Sequence, residues 1–197
     1  MSRLILASAS PIRAELLKRA GVDLVVEPAQ VDEATIRESL KAEGASVEDV
    51  ADALAETKAS QIGRRRPDDL VVGCDQMLDL EGDWLEKPGT LENAKAQLAR
   101  LAGRTHRLVS SAVVVQGRQR LWGATDPAQL SMRKLNAAAI EAYLAAAGSA
   151  VLGSVGCYQI EAIGIRLFER IQGDYFTILG LPLLPLMNFL RMHGHGV

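Results

Sequence analysis

Leu4 to Arg13, Leu-Ile-Leu-Ala-Ser-Ala-Ser-Pro-Ile-Arg, constrain the fold more than any other stretch. Leu4 to Ala7 form an apolar block too short for a helix and bounded by small hydroxyl residues, the pattern of a buried strand. Ser10 then suits a helix N-cap, and Pro11 the first helical position, where its missing N–H would be unpaired anyway. Ala14, Leu17 and Lys18 continue a helical run that Gly21 can end. A strand passing through a serine-rich turn into a helix aims backbone N–H groups and the hydroxyls of Ser8 and Ser10 at one spot, with Arg13 one turn further in. That arrangement suits phosphate. The same residues also describe a plain strand-to-helix connection with a capping serine and a surface arginine.

With 197 residues, 48% of them hydrophobic, the chain can bury a substantial core as one domain or as two small intimate lobes, and the absence of a low-complexity linker favours a single domain with two intimate lobes. A net charge of -2 argues against holding polymeric nucleic acid by a general positive field, so any phosphate site must be built residue by residue. Cys74 and Cys157 stand alone, which speaks against a zinc site or a disulfide framework and for a reducing cytoplasmic compartment. The most apolar run, Leu179 to Leu190, is broken by Pro182, Pro185 and Asn188, and falls short of the ~18 residues that cross a bilayer. It reads as a terminal helix, and no membrane partner is expected.

Along the chain, Val22 to Val26 suit a second short strand. In Val31-Asp32-Glu33 one carboxylate can cap while the other reaches a site. Ala34 to Gly44 is helical but ragged, and Ser46 or Asp49 can start a further helix in which Val50, Leu54, Lys58 and Ile62 share a face. Lys58 is either a snorkelling edge residue or a cation aimed into a cleft. Arg64-Arg65-Arg66 before Pro67 reads as a cationic helix end. Leu70 to Gly73 is a buried strand that delivers Cys74-Asp75-Gln76 at its end, where open α/β sheets place active groups. Met77 to Leu80 reads as another strand, and Glu81-Gly82-Asp83 as a hairpin turn. Lys87, held extended by Pro88, suits a fixed cation or an ordinary loop lysine.

Thr90 caps a helix to Arg100, Thr105 to Val115 is strand-like, and Asn136 caps a helix over Ala137 to Ala146. His106 reads as structural. The glycine-punctuated Gly153 to Gly164 segment permits close approach to a ligand but lacks a phosphate-loop Lys-Ser/Thr pair. The His193 to Gly196 tail reads as frayed.

The polar groups near strand ends are Ser8, Ser10, Arg13, Glu33, Lys58, Asp75 and Lys87, with Glu161 from the glycine-rich segment. Cations and helix N–H groups can neutralise polyphosphate, while Glu33 and Asp75 can hold Mg²⁺ or Mn²⁺. A carboxylate could accept the proton of a water attacking phosphorus. No Ser-His-Asp or Cys-His pairing emerges. Nucleotide hydrolysis, a nucleotide-binding module without turnover and an ordinary α/β protein all remain open on these residues alone.

The chain resembles the Maf family, nucleoside triphosphate pyrophosphatases of the septum-formation-inhibitor type. The carrying segments are Leu4 to Arg13 with Glu15-Leu16-Leu17, Val31-Asp32-Glu33, Ala55 to Ala59, Val72 to Gln76, Gly82 with Lys87-Pro88, and Gly173-Asp174-Tyr175 with Gly180-Leu181-Pro182-Leu183. They span nearly the whole chain in the family's order. The resemblance implies a Maf/ITPase-like α/β fold: an elongated, curved mixed sheet with flanking helices and a cleft between two lobes. It implies cleavage of a nucleoside triphosphate between its α and β phosphates, a divalent metal cofactor, a house-cleaning role toward noncanonical nucleotides with a link to division arrest, and dimers. Asp75 matches the catalytic carboxylate, Glu33 the acidic residue assisting metal and water, Arg13 and Lys58 phosphate-contacting positions, and Lys87 the lysine of the Lys-Pro motif.

Three substitutions bear on substrate. The dTTP and UTP branch carries a further arginine, a threonine and a glutamine where this chain has Ile12, Gln76 and Glu161. That trio is similar to the branch acting on 7-methyl-GTP, and a carboxylate at position 161 can accept hydrogen bonds from the guanine ring N–H and amino group. Ser110 and Ser111 replace a frequent Thr-Gly, and Thr177 replaces an asparagine. The expected activity is therefore pyrophosphate release from a nucleoside triphosphate, with 7-methyl-GTP favoured. The alternatives are a dTTP/UTP enzyme of the same family and a nucleotide-binding regulator of division.

Overall fold

The computed structural model describes residues 2–195. Strand β1 (Leu4–Leu6) leads through the serine turn into α1 (Pro11–Arg19), as the opening motif predicts. There follow β2 (Val25–Val26), α2 (Glu33–Ala42), α3 (Val47–Gly63), β3 (Leu70–Leu80), β4 (Asp83–Leu85) and α4 (Leu91–Leu101). The long strands β5 (Thr105–Gln116) and β6 (Gln119–Met132) precede α5 (Ala137–Ala147), β7 (Phe168–Gln172), α6 (Tyr175–Ile178) and α7 (Leu183–Met192). Three short 3₁₀ turns bridge α5 and β7.

The strands form one open, mixed sheet in the order β2-β1-β3-β5-β6-β7, with β4 pairing β3 off that path. β1 lies parallel to β2 and β3, whereas β4 pairs antiparallel to β3. Helices flank the sheet, and the architecture is α/β. The chain forms two compact units. One comprises the described residues up to Gln76, Val109–Asp126 and those from Tyr175 on; the other comprises Met77–Leu108 and Pro127–Asp174.

In the first unit the period-2 alternation of side chains sorts the core into two layers. Leu4 and Leu6, Leu70, Val72 and Cys74, and Ala112 and Val114 pack with Leu16 and Leu17 of α1 and with Leu186, Phe189 and Leu190 of α7. Ile5, Val71, Val113 and Val115 face the other way, onto Ala55, Ala59 and Ile62 of α3. Burial of these aliphatic side chains fixes the strand register, because a one-residue slip would exchange the two layers.

Capping chemistry sets several helix starts. Ser46 and Asp49 make a reciprocal capping box at α3, and the Thr90 and Asn136 side chains cap α4 and α5. Asp32 caps α2 by accepting the Thr35 N–H, which assigns the capping half of the Asp32-Glu33 pair. Ser10 takes the N-cap position of α1, but its side chain makes no capping bond; its own N–H instead donates to Ser8 Oγ at 3.3 Å.

β3, the glycine-rich segment and the C-terminal tail differ from expectation. β3 does not stop at Gln76: Leu70 to Leu80 is one strand, since no turn residue separates Gln76 from Met77. Its partners change instead. β1 pairs with Leu70 to Val72 and β4 with Leu78 to Leu80, so Asp75 and Gln76 lie past the end of β1 within an unbroken strand. The Gly153 to Gly164 segment folds on itself: a Cβ on Gly156 would meet Tyr158 at 2.5 Å and Leu78 at 2.7 Å, and one on Gly164 would meet the Gln159 carbonyl at 2.4 Å. These glycines serve internal packing.

The C-terminal tail is tied down as far as His195, whose N–H donates to the Leu190 carbonyl, while His193 stacks on Phe189. Gly196 lies outside the described residues. No described helix is long and apolar enough to cross a membrane.

Candidate active site

Gly73 is the local reason a charged cluster exists. A Cβ there would lie 2.0 Å from the Ala55 carbonyl and 2.7 Å from the Ala59 nitrogen, so α3 crosses β3 backbone to backbone. Only glycine on the strand, with the two alanines on the helix, permits that approach. Lys58 sits between those alanines, and Asp75 lies two residues beyond Gly73 on the same strand face. The Lys58 ammonium consequently donates to Asp75 Oδ1 at 2.6 Å and pairs with Glu33 Oε1 at 2.8 Å. Lys58 and Asp75 are buried, whereas the Glu33 side chain is 44% exposed.

Two carboxylates thus converge on one cationic point, one from the core and one from the rim. Such a donor set fits a divalent cation that arrives with a polyphosphate, because Mg²⁺ is commonly held by one or two carboxylates together with phosphate oxygens. Among the described residues no group of three His, Cys, Asp or Glu side chains forms an all-protein metal cage.

Asp75 and Gln76 are neighbours, yet their side chains leave β3 on opposite faces. Gln76 Nε2 donates to Ser110 Oγ at 3.1 Å, to the Thr177 carbonyl at 3.2 Å and to the Ile178 carbonyl at 2.9 Å. Its donor group is occupied by the protein.

Arg13 is buried, which departs from the surface alternative read in the sequence. Its Nε donates to the Gly180 carbonyl at 2.7 Å, and Nη1 donates to Ser8 Oγ at 3.1 Å and the Cys74 carbonyl at 3.0 Å. Three segments therefore fix one guanidinium, and Nη2 makes no hydrogen bond among the described residues. Ser8 is buried beneath it; Ser10 is half-buried at the helix start; Ile12 is half-buried and packs against the core layer beneath α1.

Ser8, Ser10, Ile12, Arg13, Glu33, Lys58, Asp75 and Gln76 all belong to the first compact unit, and Lys87 and Glu161 to the second. Lys87 is exposed between β4 and α4, ahead of buried Pro88, whose carbonyl accepts from Asn93. Glu161 is exposed in the turn ahead of the Ile163–Leu167 3₁₀ turn.

The second unit also holds a buried polar pair. His106 Nε2 lies 2.6 Å from the Tyr158 hydroxyl, and Phe168 meets the Tyr158 ring edge-on. His106 Nδ1 has no partner among the described residues, and burial pushes the imidazole pKa down to about 4. Burial likewise holds the Tyr158 hydroxyl well above its ordinary value. The group is neutral, in keeping with the structural reading of His106.

Ser110 and Thr177 bond Gln76, Gly180 bonds Arg13, and Asp126 holds Thr177 from behind; the sequence alone marks none of the four as a site residue. One signal was available: Ser110-Ser111 interrupts an apolar strand, and buried hydroxyls must find partners. Ser110 Oγ donates to the Thr177 carbonyl at 2.7 Å, and Thr177 Oγ1 donates to Asp126 Oδ2 at 2.6 Å.

The Maf-like protein family model matches residues 3–193. A nucleoside triphosphate pyrophosphatase of Granulibacter bethesdensis is 51% identical over 97% of this chain and 97% of its own length. A 7-methyl-GTP pyrophosphatase of Mesorhizobium japonicum is 49% identical over 98% of this chain and 96% of its own. Among solved structures, a nucleoside-triphosphatase, or dITP/XTP pyrophosphatase, of Mycobacterium abscessus aligns over 66% of this chain and 74% of its own at 22% identity, with a TM-score of 0.44, too distant to bear on function. The chain belongs to the Maf family and is an enzyme of its nucleoside triphosphate pyrophosphatase class.

Proposed function

We propose that this enzyme hydrolyses a modified guanine nucleotide, 7-methyl-GTP or a close analogue, to the nucleoside monophosphate and pyrophosphate. The observation carrying the hydrolytic part of this reading is the Lys58 ammonium held between Asp75 and Glu33. Water attacks the α-phosphorus, a new P–O bond forms, and the bridging bond to the β-phosphate breaks with its electron pair leaving on pyrophosphate. Asp75 accepts the proton of the attacking water. Lys58 orients that carboxylate through Oδ1 and adds positive charge beside the phosphates. Arg13, fixed by its three acceptors, contacts phosphate through Nη2, and Ser8, Ser10 and the start of α1 supply further donors. Lys87, the lysine of the Lys-Pro motif, is a third candidate cation for the phosphates.

Glu33 and Asp75 are the residues that would hold Mg²⁺ or Mn²⁺, whose charge would neutralise the phosphate oxygens. Glu161 supplies acceptors that suit the ring N–H and amino group of guanine. The 49% identity to the Mesorhizobium japonicum enzyme supports the methylated base.

The test is a panel of 7-methyl-GTP, GTP, dTTP, UTP and CTP with Mg²⁺ or Mn²⁺, scored by monophosphate and pyrophosphate release. The reading expects wild type to prefer 7-methyl-GTP, Asp75→Asn to lose turnover with all substrates, and Glu161→Gln to lose mainly the guanine preference. A dTTP or UTP preference would move the enzyme to another branch. Binding without pyrophosphate release by folded wild type would leave only a regulatory role.

A further inference from the structure

We infer that Gln61 is a positioning residue for Glu33: its carboxamide clamps the backbone of Gln30 and thereby holds Glu33 against Lys58. The inference deepens the proposed function and rests on its reading of Glu33 as a carboxylate for the metal.

Glu33 opens α2, none of whose described residues is buried. Deep core packing therefore does not fix where its carboxylate stands. Asp32 ties the helix start to Thr35 of the same helix, through the Thr35 N–H at 3.1 Å and its hydroxyl at 2.9 Å. Aiming Glu33 falls to α3 and to the segment ahead of α2.

That segment, residues 27–33, is tied to α3 and its end at three levels. Near its start Glu27 pairs with Arg66 at 3.1 Å and with Arg65 at 3.5 Å, just past the end of α3. In the middle the Gln30 N–H donates to Gln61 Oε1 at 2.7 Å, and Gln61 Nε2 donates to the Gln30 carbonyl at 2.6 Å. At its end Glu33 pairs with Lys58 at 2.8 Å. As the partners rise from 27 through 30 to 33, their counterparts fall by about one helical turn at each step, so segment and helix run antiparallel. Two of the three arginines after α3 belong to this ladder.

The middle tie differs in kind from the other two. A carboxamide offers one acceptor and one donor side by side, and here they take the N–H and the carbonyl of a single residue, as a facing residue does in an antiparallel sheet. An ionised glutamate at 61 would have no proton for the carbonyl, and asparagine would fall one methylene short. Ion pairs between long side chains tolerate a sliding backbone; the bonds to Gln30 do not. Beside them, Ala29 packs against the core layer that includes Ile62. From Gln30 the restraint passes directly to Glu33, whose N–H donates to the Val31 carbonyl at 3.0 Å. Gln61 and Lys58 stand three residues apart on α3, so the group that fixes the backbone and the group that meets the carboxylate share one helix face.

The experiment compares Gln61→Met and Gln61→Glu with wild type, after melting curves establish that each is folded. Gln61→Met keeps the length of the side chain and loses both bonds. Gln61→Glu keeps its shape and loses the donor, so it carries the test if the first does not fold. The first readout is the Glu33 carboxyl-carbon resonance of the isotope-labelled protein without metal or nucleotide, assigned by its loss in Glu33→Gln. Both variants are expected to shift it. The second is the Mg²⁺ concentration that half-activates cleavage of 7-methyl-GTP. It is expected to rise about fivefold, the scale of one hydrogen bond, while KM at saturating Mg²⁺ stays within about twofold of wild type. In the Glu33→Gln background the same substitutions are expected to change the Mg²⁺ requirement no further, because the group they position is gone.

An unmoved Glu33 resonance in a folded variant overturns the inference. So does a loss of turnover that repeats in full in the Glu33→Gln background, the mark of a general loss of structure. If the resonance moves while wild type cleaves no nucleotide, or while the Mg²⁺ requirement stays where it was, the clamp stands and the reading of Glu33 as a metal carboxylate falls.

Discussion

Gly73 lies directly under Ala55: a Cβ on the glycine would stand 2.0 Å from the alanine's carbonyl oxygen, inside any real contact. That approach brings Lys58 to Asp75. Gly73→Ala must push α3 off β3, at a cost of about 1–3 kcal/mol for overpacking. It is expected to lower the melting temperature and to cut turnover about a hundredfold, the scale of a misplacement near 1 Å. A variant that folds with full activity would show that the Lys58 to Asp75 geometry is not what turnover depends on.

The buried ion pair between Lys58 and Asp75 predicts an asymmetry between single and double substitution. Lys58→Met leaves the Asp75 carboxylate without its buried partner and should cost roughly 3–5 kcal/mol in a denaturant melt. Adding Asp75→Leu removes the stranded charge, so stability should return to near the wild-type value while activity stays absent. If the double variant is no more stable than Lys58→Met, a stranded Asp75 charge is not the cause of the loss. Glu33 is 44% exposed on its side chain, and its pairing with Lys58 should contribute far less to stability.

His106 predicts a pH dependence of its own. Burial lowers its pKa from 6.5 to about 4, so the folded protein binds the proton less readily than the unfolded chain does. Above pH 6.5 both states are neutral and the stability is fully present. As the pH falls from 6.5 toward 4 the unfolded state gains the proton first, and stability is lost by up to about 3 kcal/mol. Replacing His106 with Gln should flatten that part of the curve. Tyr158→Phe removes the partner of Nε2 and should cost ~1–3 kcal/mol near neutral pH, where the imidazole is still neutral.

Much of this was legible in the sequence because it follows from local rules. The strand, serine turn and proline-started helix at the N-terminus, the caps at Ser46, Thr90 and Asn136, and the helical spacing that turns Lys58 inward all appear where expected. Asp32 and Glu33 divide into a cap and a partner for Lys58, as adjacent residues on different faces must.

What stayed hidden depends on distant partners. Arg13 is buried because acceptors from Ser8, Cys74 and Gly180 surround it, and the last is 167 residues away. Gln76 is separated from the Ile178 carbonyl by 102 residues. Arginine is seldom buried, so composition pointed the other way. The continuity of β3 was concealed by a change of partners that no turn residue marks. In the glycine-rich segment, glycine's absence of a side chain reads alike whether a ligand or the protein itself fills the space.

The most direct measurement is a single turnover of 7-methyl-GTP in isotope-labelled water, with the heavy oxygen located in the products. Attack at the α-phosphorus, with Asp75 taking the proton, predicts the label in the nucleoside monophosphate and none in pyrophosphate, and no turnover by Asp75→Asn. Label in pyrophosphate, release of a nucleoside diphosphate, or undiminished turnover by Asp75→Asn would contradict the account.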